Sequence, residues 1–473
     1  MSEKIKFGTS GWRGIISDDF TFHNVKTVCQ AIADFIKSKR SEKGKPVIIG
    51  GDARFLSDKF CAAAAEVMAG NGIKALVCDR DTPTPVIAYE IIRRKAAGGI
   101  NFTASHNPPE YNGLKFSPSW GGPATPAETS VIESNIRKVK VVKTVGMDEG
   151  QKRGLIQVFD PSPFYLKRIK EIVDFSVIKS SRMKVVADPL FSTGRGYLDR
   201  LLKEAGANVT VINDRKDVLF GGFPPEPAEK NVADLIAAVK REKAVLGVAT
   251  DGDADRYGII DSDGSYIPAN KILPLLLDYL VETRPKWKGA AVRSVATSGM
   301  LDAVARLHGI KLYETPVGFK YIGDIMTRED IIIGGEESNG LTVYRHVPEK
   351  DGIIACLLVV EMAARKKKNI RTLLSELEKK TGAFYNARKN FRLTEDRKRK
   401  LIEKLSDFKF GRMGKYEVKD LIKVDGFKFV LGEDTWVMTR LSGTEPIVRL
   451  YAEAKSRKEL DEILEAGEAF IMK

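Results

Sequence analysis

Cysteine, histidine and long apolar runs are scarce in this 473-residue chain. The longest apolar stretch, residues 352–360, is too short to span a bilayer, and the charged, glycine-rich first 14 residues are unlike a signal peptide. No two cysteines lie at metal-binding or redox spacing, which predicts small core residues in a reducing compartment. These absences together predict a cytoplasmic protein without membrane attachment. The four cysteines are Cys29, Cys61, Cys78 and Cys356.

Two nucleotide-binding signatures are missing as well. Neither a G-x-x-x-x-G-K-[ST] loop nor a G-x-G-x-x-G fingerprint occurs, so the sequence gives no support for ATP or NAD binding. An EF-hand is also excluded for the acidic loop that begins at Asp251. Its sixth position, which needs glycine, holds Arg256, and its twelfth, which needs glutamate, holds Ser262.

Basic residues are in excess, with 77 lysines and arginines against 63 acids and a net charge of +14. Such a surplus suits nucleic acid, an anionic membrane or phosphorylated metabolites. A nucleic-acid-binding surface would interleave basic with aromatic residues, but the basic runs at 365–368 and 397–400 contain no aromatics. We therefore interpret these runs as solvated helix faces and expect small phosphorylated partners rather than nucleic acid.

The chain is too long for one core and predicts three or four domains. A unit of strand, small polar loop and helix recurs at 46–69, 183–201 and 290–307. This alternation predicts three related α/β domains with mixed, mostly parallel sheets. After about residue 375, charged helices and short strands with a hairpin at Asp425-Gly426 predict a smaller α+β domain. The predicted domains are residues 1–152, 153–262, 263–375 and 376–473.

One loop stands out as a possible catalytic element. It follows an apparent buried strand, residues 98–102, and its Asn107-Pro108-Pro109 and Asn112-Gly113 segments cannot continue a helix or a central strand. Ser105 is therefore predicted on a tight loop at the carboxyl end of a strand, where open α/β sheets bind ligands. With basic Lys115 nearby, Ser105 is a candidate nucleophile. On this stretch alone, a polar turn at a sheet edge is the alternative.

A second loop carries carboxylates at alternate positions, Asp251, Asp253 and Asp255, directly after an apolar strand. Three such groups repel each other unless a cation joins them, and hard oxygen ligands indicate Mg²⁺ or Ca²⁺. Arg256 within this loop suits an anion bound beside the metal. A solvated acidic turn is the alternative.

Two more loops complete the set. Residues 331–340 run from an apolar strand through two glycines into paired acids and a serine, which suit hydrogen bonds to sugar hydroxyls or acid–base chemistry. Residues 440–449 place two arginines around a Ser-Gly-Thr turn, the equipment of a phosphate site without a Walker lysine. A nucleophile, a metal site, a polyol-binding group and a phosphate site together predict phosphoryl transfer on a sugar phosphate.

These loops, in this order, resemble those of the α-D-phosphohexomutase family, which includes phosphoglucomutases, phosphomannomutases and phosphoglucosamine mutases. Residues 103–108 resemble its phosphoserine loop, 251–256 its metal loop, 335–338 its sugar-specificity loop and 440–444 its phosphate loop. The resemblance covers essentially the whole chain. It implies four domains around a central cleft.

The family also implies roles for individual residues. Ser105 would carry a phosphoryl group, and Mg²⁺ would be bound by that phosphate together with Asp251, Asp253 and Asp255. Hexose 1,6-bisphosphate would be the intermediate and activator. Lys115 and Lys350 match family lysines with acid–base roles, and desolvation could depress a lysine pKa. His106 is a competitor for that role that could instead orient the loop. The predicted substrate-binding residues are Arg13, Arg256, Lys320, Glu336, Ser338 and His346, and the predicted phosphate-binding residues are Arg440, Ser442, Gly443, Thr444 and Arg449.

The sugar itself is predicted from the third loop. Residues 335–340, together with His346 and residues 349–352, resemble the glucose-type pattern of the family. Phosphoglucosamine mutases usually have glutamine in place of Glu337, and enzymes acting on both mannose and glucose phosphates usually have methionine there. Asn339 departs from the bulky or glycine residue of the pattern. The sequence favours glucose 1- and 6-phosphates, with mannose phosphates as second substrates and a phosphomannomutase or phosphoglucosamine mutase as alternatives. Monomer and dimer both remain open.

Overall fold

Four main sheets, one after another along the chain, organise the structure. The computed structural model describes residues 5–8, 11–408, 411–441 and 447–472. Within those ranges the first three sheets mix parallel and antiparallel strands, and the last is antiparallel throughout. The predicted fold class, three α/β domains followed by a smaller α+β domain, is confirmed.

The first sheet supplies the loop that carries Ser105. Its strands are β1 (Trp12–Ile15), β2 (Val47–Gly51), β3 (Ala75–Cys78), β4 (Gly98–Phe102), β5 (Tyr111–Pro118) and β6 (Ile156–Phe159), and its helices are α1 (Phe22–Ser38), α2 (Ser57–Gly70), α3 (Thr84–Arg94), α4 (Pro126–Ile136) and α5 (Met147–Lys152). The order is β1-β5-β4-β2-β3-β6, with an antiparallel pair at one edge. Every residue of β2 and β4 is buried because helices cover both faces of the sheet. The one polar residue of the two strands, Asn101, donates its amide to the hydroxyl of Thr84 at 2.7 Å.

The second sheet supplies the acidic loop. Its strands are β7 (Lys184–Asp188), β8 (Asn208–Val211), β9 (Leu246–Thr250), β10 (Tyr257–Asp261) and β11 (Tyr266–Ile267), and its helices are α6 (Ser162–Ile172), α7 (Phe175–Ser181), α8 (Leu198–Glu204) and α9 (Ala233–Glu242). The order is β11-β10-β9-β7-β8, parallel around β7 and antiparallel from β9 outward. The acidic residues form the connection between β9 and β10.

The third sheet, in the order β13-β12-β14-β15, supplies the loop with the paired glutamates. Its strands are β12 (Ala290–Ser294), β13 (Leu312–Thr315), β14 (Ile331–Glu336) and β15 (Gly340–Val343), and its helices are α10 (Ala269–Thr283), α11 (Met300–Leu307), α12 (Phe319–Met326), α13 (Gly352–Lys366) and α14 (Ile370–Thr381). Helix α13 packs against strands of both the second and the third sheet, in one apolar core that runs through the two domains. That shared core fixes the acidic loop relative to the glutamates.

The fourth sheet, β16-β22-β21-β20-β19, packs against two helices over a separate core. The strands of this domain are β16 (Tyr385–Arg392), β17 (Arg412–Met413), β18 (Tyr416–Glu417), β19 (Asp420–Ile422), β20 (Phe427–Gly432), β21 (Thr435–Leu441) and β22 (Ile447–Ala454), and its helices are α15 (Glu395–Asp407) and α16 (Arg457–Met472). The predicted hairpin at Asp425-Gly426 is confirmed, since β19 and β20 pair antiparallel and Gly426 has a φ of 88°.

The predicted domain boundaries stay predictions, although two strands pair across them. Strand β6 follows the boundary at residue 152 but pairs with β3 of the first sheet. Strand β11 follows the boundary at residue 262 but pairs with β10 of the second sheet. Both are short edge strands, whose weak apolar patterns do not reveal the sheet that they join. Among the described residues, none of the helices combines the length and apolar character that crossing a membrane requires.

Candidate active site

Ser105 lies on a tight turn directly after β4, with a left-handed backbone φ of 52° and only 2% of its surface exposed. Its backbone N–H donates to the hydroxyl of Thr103 at 2.8 Å, and this bond fixes the conformation of the turn. Its own hydroxyl donates to Asp251 Oδ2 at 2.8 Å, across the boundary between the first two domains. The predicted serine and the predicted acidic loop, 146 residues apart in sequence, are therefore in direct contact.

Asp251, Asp253 and Asp255 are each fully buried, and one oxygen from each lies within 4.8 Å of the others. Two carboxylate oxygens, Asp253 Oδ1 and Asp255 Oδ1, have no hydrogen-bond partner among the described residues. Burying two anionic oxygens without partners is unfavourable unless a cation binds them. The three carboxylates thus fit a hard divalent cation such as Mg²⁺.

The electrostatics of the three carboxylates differ because their neighbours differ. Desolvation and the other two aspartates raise the pKa of Asp251 well above its usual value. Desolvation acts on Asp255 too, but the ammonium groups of Lys115 and Lys350 outweigh it and lower the pKa of that carboxyl. A divalent cation would relieve the repulsion that now falls on Asp251.

The two predicted acid–base lysines both reach this cluster. Lys115 Nζ donates to Asp253 Oδ2 at 2.6 Å and to Asp255 Oδ2 at 3.1 Å, while Lys350 Nζ lies 2.8 Å from Asp255 Oδ2. The expectation of a depressed lysine pKa is wrong for Lys115 in this arrangement. Desolvation does lower the pKa, but Asp253, Asp255 and Glu349 outweigh it and raise the pKa of Lys115.

Neighbouring loops hold the acidic loop in place. Thr84 donates its hydroxyl to Asp253 Oδ2 at 2.5 Å and its N–H to the Asp253 carbonyl at 2.9 Å. On the other side, the hydroxyls of Ser192 and Thr193 donate to the carbonyl of Gly252. A Cβ on Gly252 would lie 2.6 Å from the Ser105 carbonyl oxygen, so only glycine allows the two loops this close.

Arg13 and His106 flank the serine. Arg13 Nη1 donates to the side chain of Asn107 at 2.6 Å, and burial together with nearby Arg256 lowers the pKa of Arg13. His106 Nδ1 lies 3.3 Å from Ser105 Oγ. Burial and the charges of Arg256 and Arg13 lower the pKa of His106 well below its usual value, which keeps the imidazole neutral.

The loop with paired acids is held by the third sheet. Glu336 is 5% exposed and accepts the N–H of Gly318 at 2.7 Å. Its burial and the charge of Glu337 raise its pKa to about 7. Glu337 Oε2 accepts the hydroxyl of Ser294 at 2.8 Å, and Ser338 is half-buried beside it.

Asn339 connects two of the predicted loops. It has a φ of 67° and donates its amide to the Tyr257 carbonyl at 2.8 Å and to the Tyr266 hydroxyl at 2.7 Å. The Asn339 carbonyl in turn accepts the N–H of Tyr257 at 3.0 Å. Asparagine tolerates the left-handed conformation and supplies these bonds, which explains its presence where the family pattern has other residues.

His346 is placed differently from the other predicted substrate-binding residues. Its side chain has no exposed surface, and its Nε2 lies 2.7 Å from Asp351 Oδ2. Asp351 caps helix α13 by accepting the N–H groups of Ile353 and Ile354, both at 3.0 Å. This arrangement leaves the imidazole no surface for a sugar and makes it a support for the turn that carries Lys350.

The predicted phosphate-binding residues that the structure describes, Arg440 and Arg449, lie on the fourth domain, close to Lys320 of the third. Arg440 Nε donates to Asp425 Oδ2 at 2.8 Å, and Arg440 and Arg449 stand opposite each other on β21 and β22. Lys320 is half-buried on α12, close enough to Asp425 and Arg440 to interact with the charges of both. Burial lowers the pKa of Lys320. The predicted residues Ser442, Gly443 and Thr444 lie outside the described residues.

Sequence reasoning gave no individual role in this site to several residues that the structure places there. Asp52 and Arg54 fill the interior of the loop that carries Ser105. Glu349, buried beside the two lysines, has a pKa raised to about 7 by desolvation, which outweighs the nearby charges of Lys350 and Lys115. Asp425 occupies one edge of the Arg440 guanidinium. For Asp52 and Arg54 the sequence signal was their position after a buried strand, which Ser105 shares.

Comparison with known proteins agrees with this arrangement over almost the whole chain. The matches are to four successive phosphoglucomutase/phosphomannomutase domains, described as alpha/beta/alpha domains I, II and III and a C-terminal domain. They cover residues 4–143, 163–264, 268–381 and 389–468.

Individual relatives span the same length. A phosphoglucomutase/phosphomannomutase from Thermococcus kodakarensis is 32% identical over 98% of this chain and 97% of its own, and a phosphoglucomutase from Komagataeibacter xylinus is 30% identical over 96% and 88%. A solved structure from Thermus thermophilus, assigned as a phosphomannomutase, is 31% identical, covers 100% of both chains and has a TM-score of 0.85.

Four such successive domains, together with a buried serine bonded to a carboxylate cluster, define the class of phosphosugar mutases. The chain belongs to the phosphoglucomutase/phosphomannomutase family, whose members are phosphohexomutase enzymes. The predicted resemblance of the chain to this family is thereby confirmed.

Proposed function

We propose that the protein interconverts hexose 1-phosphate and hexose 6-phosphate, with glucose as the preferred sugar, through a phosphoserine at Ser105. The observation that carries this proposal is the buried hydrogen bond from Ser105 Oγ to Asp251 Oδ2, at 2.8 Å. It places a phosphorylatable oxygen on a cluster of carboxylates that fits a divalent cation. A hydrolytic nucleophile would need a base to activate it, and three clustered carboxylates, two of them with an unpartnered oxygen, suit a metal better.

Asp251, Asp253 and Asp255, with an oxygen of the Ser105 phosphate, would hold the Mg²⁺. The ion would neutralise charge on the transferring phosphoryl group and leave little covalent chemistry to the side chains. Thr84 and Gly252, through the bonds described above, would keep the carboxylates in place when the ion is exchanged.

The proposed reaction has two mirrored steps. In the first, a sugar hydroxyl oxygen forms a bond to phosphorus while the bond between phosphorus and Ser105 Oγ breaks, which gives hexose 1,6-bisphosphate. The hydroxyl proton ends on Ser105 Oγ, relayed by Lys115 or Lys350. After the bisphosphate turns over in the cleft, its other phosphoryl group returns to Ser105 by the reverse path. Lys115 is held protonated by its carboxylate neighbours, which raise its pKa, and would enter the cycle as the acid.

Recognition is proposed for the opposite half of the cleft. A phosphomonoester carries about −1.5 to −2 charges at neutral pH, so the bisphosphate needs a concentration of cations. Lys320, Arg440 and Arg449 would bind the phosphate that is not reacting, with Arg13 and Arg256 nearer the serine.

The sugar would be bound by the loop with paired acids. Glu336 and Ser338 would accept and donate hydrogen bonds to sugar hydroxyls. Glu337, oriented by the hydroxyls of Ser294 and Thr297, stands where mutases of glucosamine phosphates usually have glutamine. A carboxylate at this position supports glucose as the preferred sugar.

We also propose that hexose 1,6-bisphosphate activates the enzyme by phosphorylating Ser105, and that the protein works in the cytoplasm on small sugar phosphates. The four cysteines are buried free thiols, which suits a reducing compartment.

The test is to measure interconversion of the 1- and 6-phosphates of glucose, mannose and glucosamine with Mg²⁺ and catalytic hexose bisphosphate. We expect turnover that is fastest on glucose phosphates, one added phosphoryl group by intact mass, and loss of both in S105A. The control S180A removes an exposed hydroxyl bonded only to its own helix and should match wild type. Absence of activity on every sugar, or an active S105A, would refute the mutase proposal.

A further inference from the structure

The guanidinium of Arg54 is the centre of the serine loop, which we define as residues 103–112. Its side chain has no exposed surface. Nη1 donates to the carbonyls of Pro108 and Tyr111, at 2.7 and 2.9 Å, and Nη2 donates to those of Ser105 and Asn107, at 2.8 and 2.6 Å. One side chain therefore gathers four carbonyls from within a single loop.

The fifth donor of Arg54 is also used. Nε donates to Asp52 Oδ2 at 3.1 Å, and the same carboxylate oxygen accepts the hydroxyl of Thr103 at 2.6 Å. A guanidinium has five N–H donors, and all five are satisfied within the protein. Arg54 has no N–H left for a phosphate, so it cannot be one of the substrate-binding arginines of the cleft.

The position of the Ser105 carbonyl matters for the chemistry. Arg54 holds this carbonyl against the metal loop, residues 251–256, where it packs so tightly on Gly252 that a Cβ there would lie 2.6 Å away. The left-handed φ of 52° at Ser105 is unfavourable for a serine and persists only when its surroundings impose it. The carbonyl bond to Arg54 and the N–H bond to Thr103 impose it from both sides of the residue.

Arg54 also contacts the second domain. The ring of Phe220 lies over the guanidinium, 5.0 Å from Arg54 Cζ. A buried cation on an aromatic face is stabilised by the ring quadrupole. The second domain thus covers the Arg54 guanidinium in addition to supplying the metal loop.

We propose that Arg54 is a positioning residue for phosphoryl transfer. It sets the backbone of the serine loop so that Ser105 Oγ points at the metal loop, and it binds neither substrate nor phosphate. This inference rests on the proposed function, since it concerns how the phosphoserine is aimed. It predicts that changes at Arg54 alter kcat and leave KM nearly unchanged.

The decisive variant is R54K, which keeps the positive charge beside Asp52 but cannot bridge four carbonyls from one planar group. We expect kcat to fall about 100-fold, because a displacement near 1 Å at a reacting group costs that much, with KM within about threefold. The double variant D52N/R54Q, which removes both charges together, keeps the test valid if R54K folds poorly.

The matched control is R284K. Arg284 likewise bonds a buried carboxylate, that of Glu361, and a backbone carbonyl, that of Ile172, but it touches no residue of the cleft. Its kcat and KM should match wild type even if its melting temperature falls. A loss of kcat in R284K equal to that in R54K would mean that both act through general stability.

A second readout separates this inference from the proposed function. Hydrogen exchange of a peptide over residues 103–112 should accelerate in R54K, while peptides over α1 and β9 keep wild-type protection. If the wild-type protein is inactive on all sugars, the exchange result still tests whether Arg54 holds the backbone of residues 103–112 in place. If wild type is active and R54K keeps wild-type kcat, or shifts KM alone, Arg54 is not a positioning residue.

Discussion

The two halves of the cleft are built differently. In the half formed by the first two domains, Ser105 and the three aspartates are at most 2% exposed, and each is bonded to groups from neighbouring loops, a helix or a strand. In the half formed by the last two domains, Lys320, Arg440 and Arg449 are half-buried, and Arg440 is bonded to Asp425, a residue of the adjacent hairpin. Buried groups that are bonded to several neighbours are fixed in position, whereas partly exposed long side chains can adjust.

This difference matches what a mutase must do. Phosphoryl transfer needs a reacting oxygen and a metal in fixed positions, because misplacement is costly in rate. Recognition must accept the same sugar in two orientations, once with each phosphate at the far end. Adjustable cations serve that purpose better than rigid ones. Substitutions in the first half should therefore lower kcat, and those in the second half should raise KM.

The largest effect is expected for D253N. Asp253 supplies an unpartnered oxygen to the proposed metal site and receives the bonds of Thr84 and Lys115. Loss of its charge should lower kcat by about 10³-fold or more at saturating Mg²⁺, since metal and electrostatic contributions are typically that large. Steady-state kinetics with Mg²⁺ titration measure it. The control D261N replaces an equally buried aspartate that bonds backbone N–H groups of helix α14. A D253N enzyme within fivefold of wild type would contradict the rigid-half interpretation.

A smaller effect, and of the opposite kind, is expected for R440A. Removing the charge-assisted bond that Arg440 is proposed to make to the distant phosphate should raise KM about 10- to 100-fold and change kcat less than threefold. Substrate-saturation curves in both reaction directions measure it, and exposed R412A is the control for lost surface charge. A fall in kcat with unchanged KM would show that the two halves do not divide the work in this way.

The smallest effect is on stability and concerns Glu336. Burial raises its pKa to about 7 from an ordinary 4.5, so the charged form is disfavoured in the folded state. The free-energy cost of burying the charged carboxylate is therefore absent below pH 4.5 and fully present above about pH 7. E336Q removes it and should be more stable than wild type at pH 8 by roughly 2–3 kcal/mol, with little difference near pH 4.5. Denaturant unfolding at both pH values measures it, with exposed E329Q as control. If the difference in the free energy of unfolding between E336Q and wild type did not change with pH, burial of the charged Glu336 carboxylate would not be its cause.

Much of this protein was determined by the sequence alone. Strand-loop-helix periodicity predicted the α/β domains, because buried strands such as β2 need cover on both faces. The spacing of Asp251, Asp253 and Asp255 predicted a cation site, because like charges at that spacing need a partner. The glycines and prolines around Ser105 predicted the tight loop, since those residues end regular structure.

Only the tertiary structure decided which groups meet and in what state. It placed Ser105 on Asp251 across 146 residues, a contact that no local pattern encodes. It reversed the expected pKa of Lys115, because the carboxylates beside it come from another domain. It buried His346 against Asp351, the residue that caps helix α13. It also showed that Arg54 donates all five of its N–H groups to protein atoms, four of them backbone carbonyls, which no sequence pattern marks. Local patterns determine the elements, and the long-range packing determines the electrostatics.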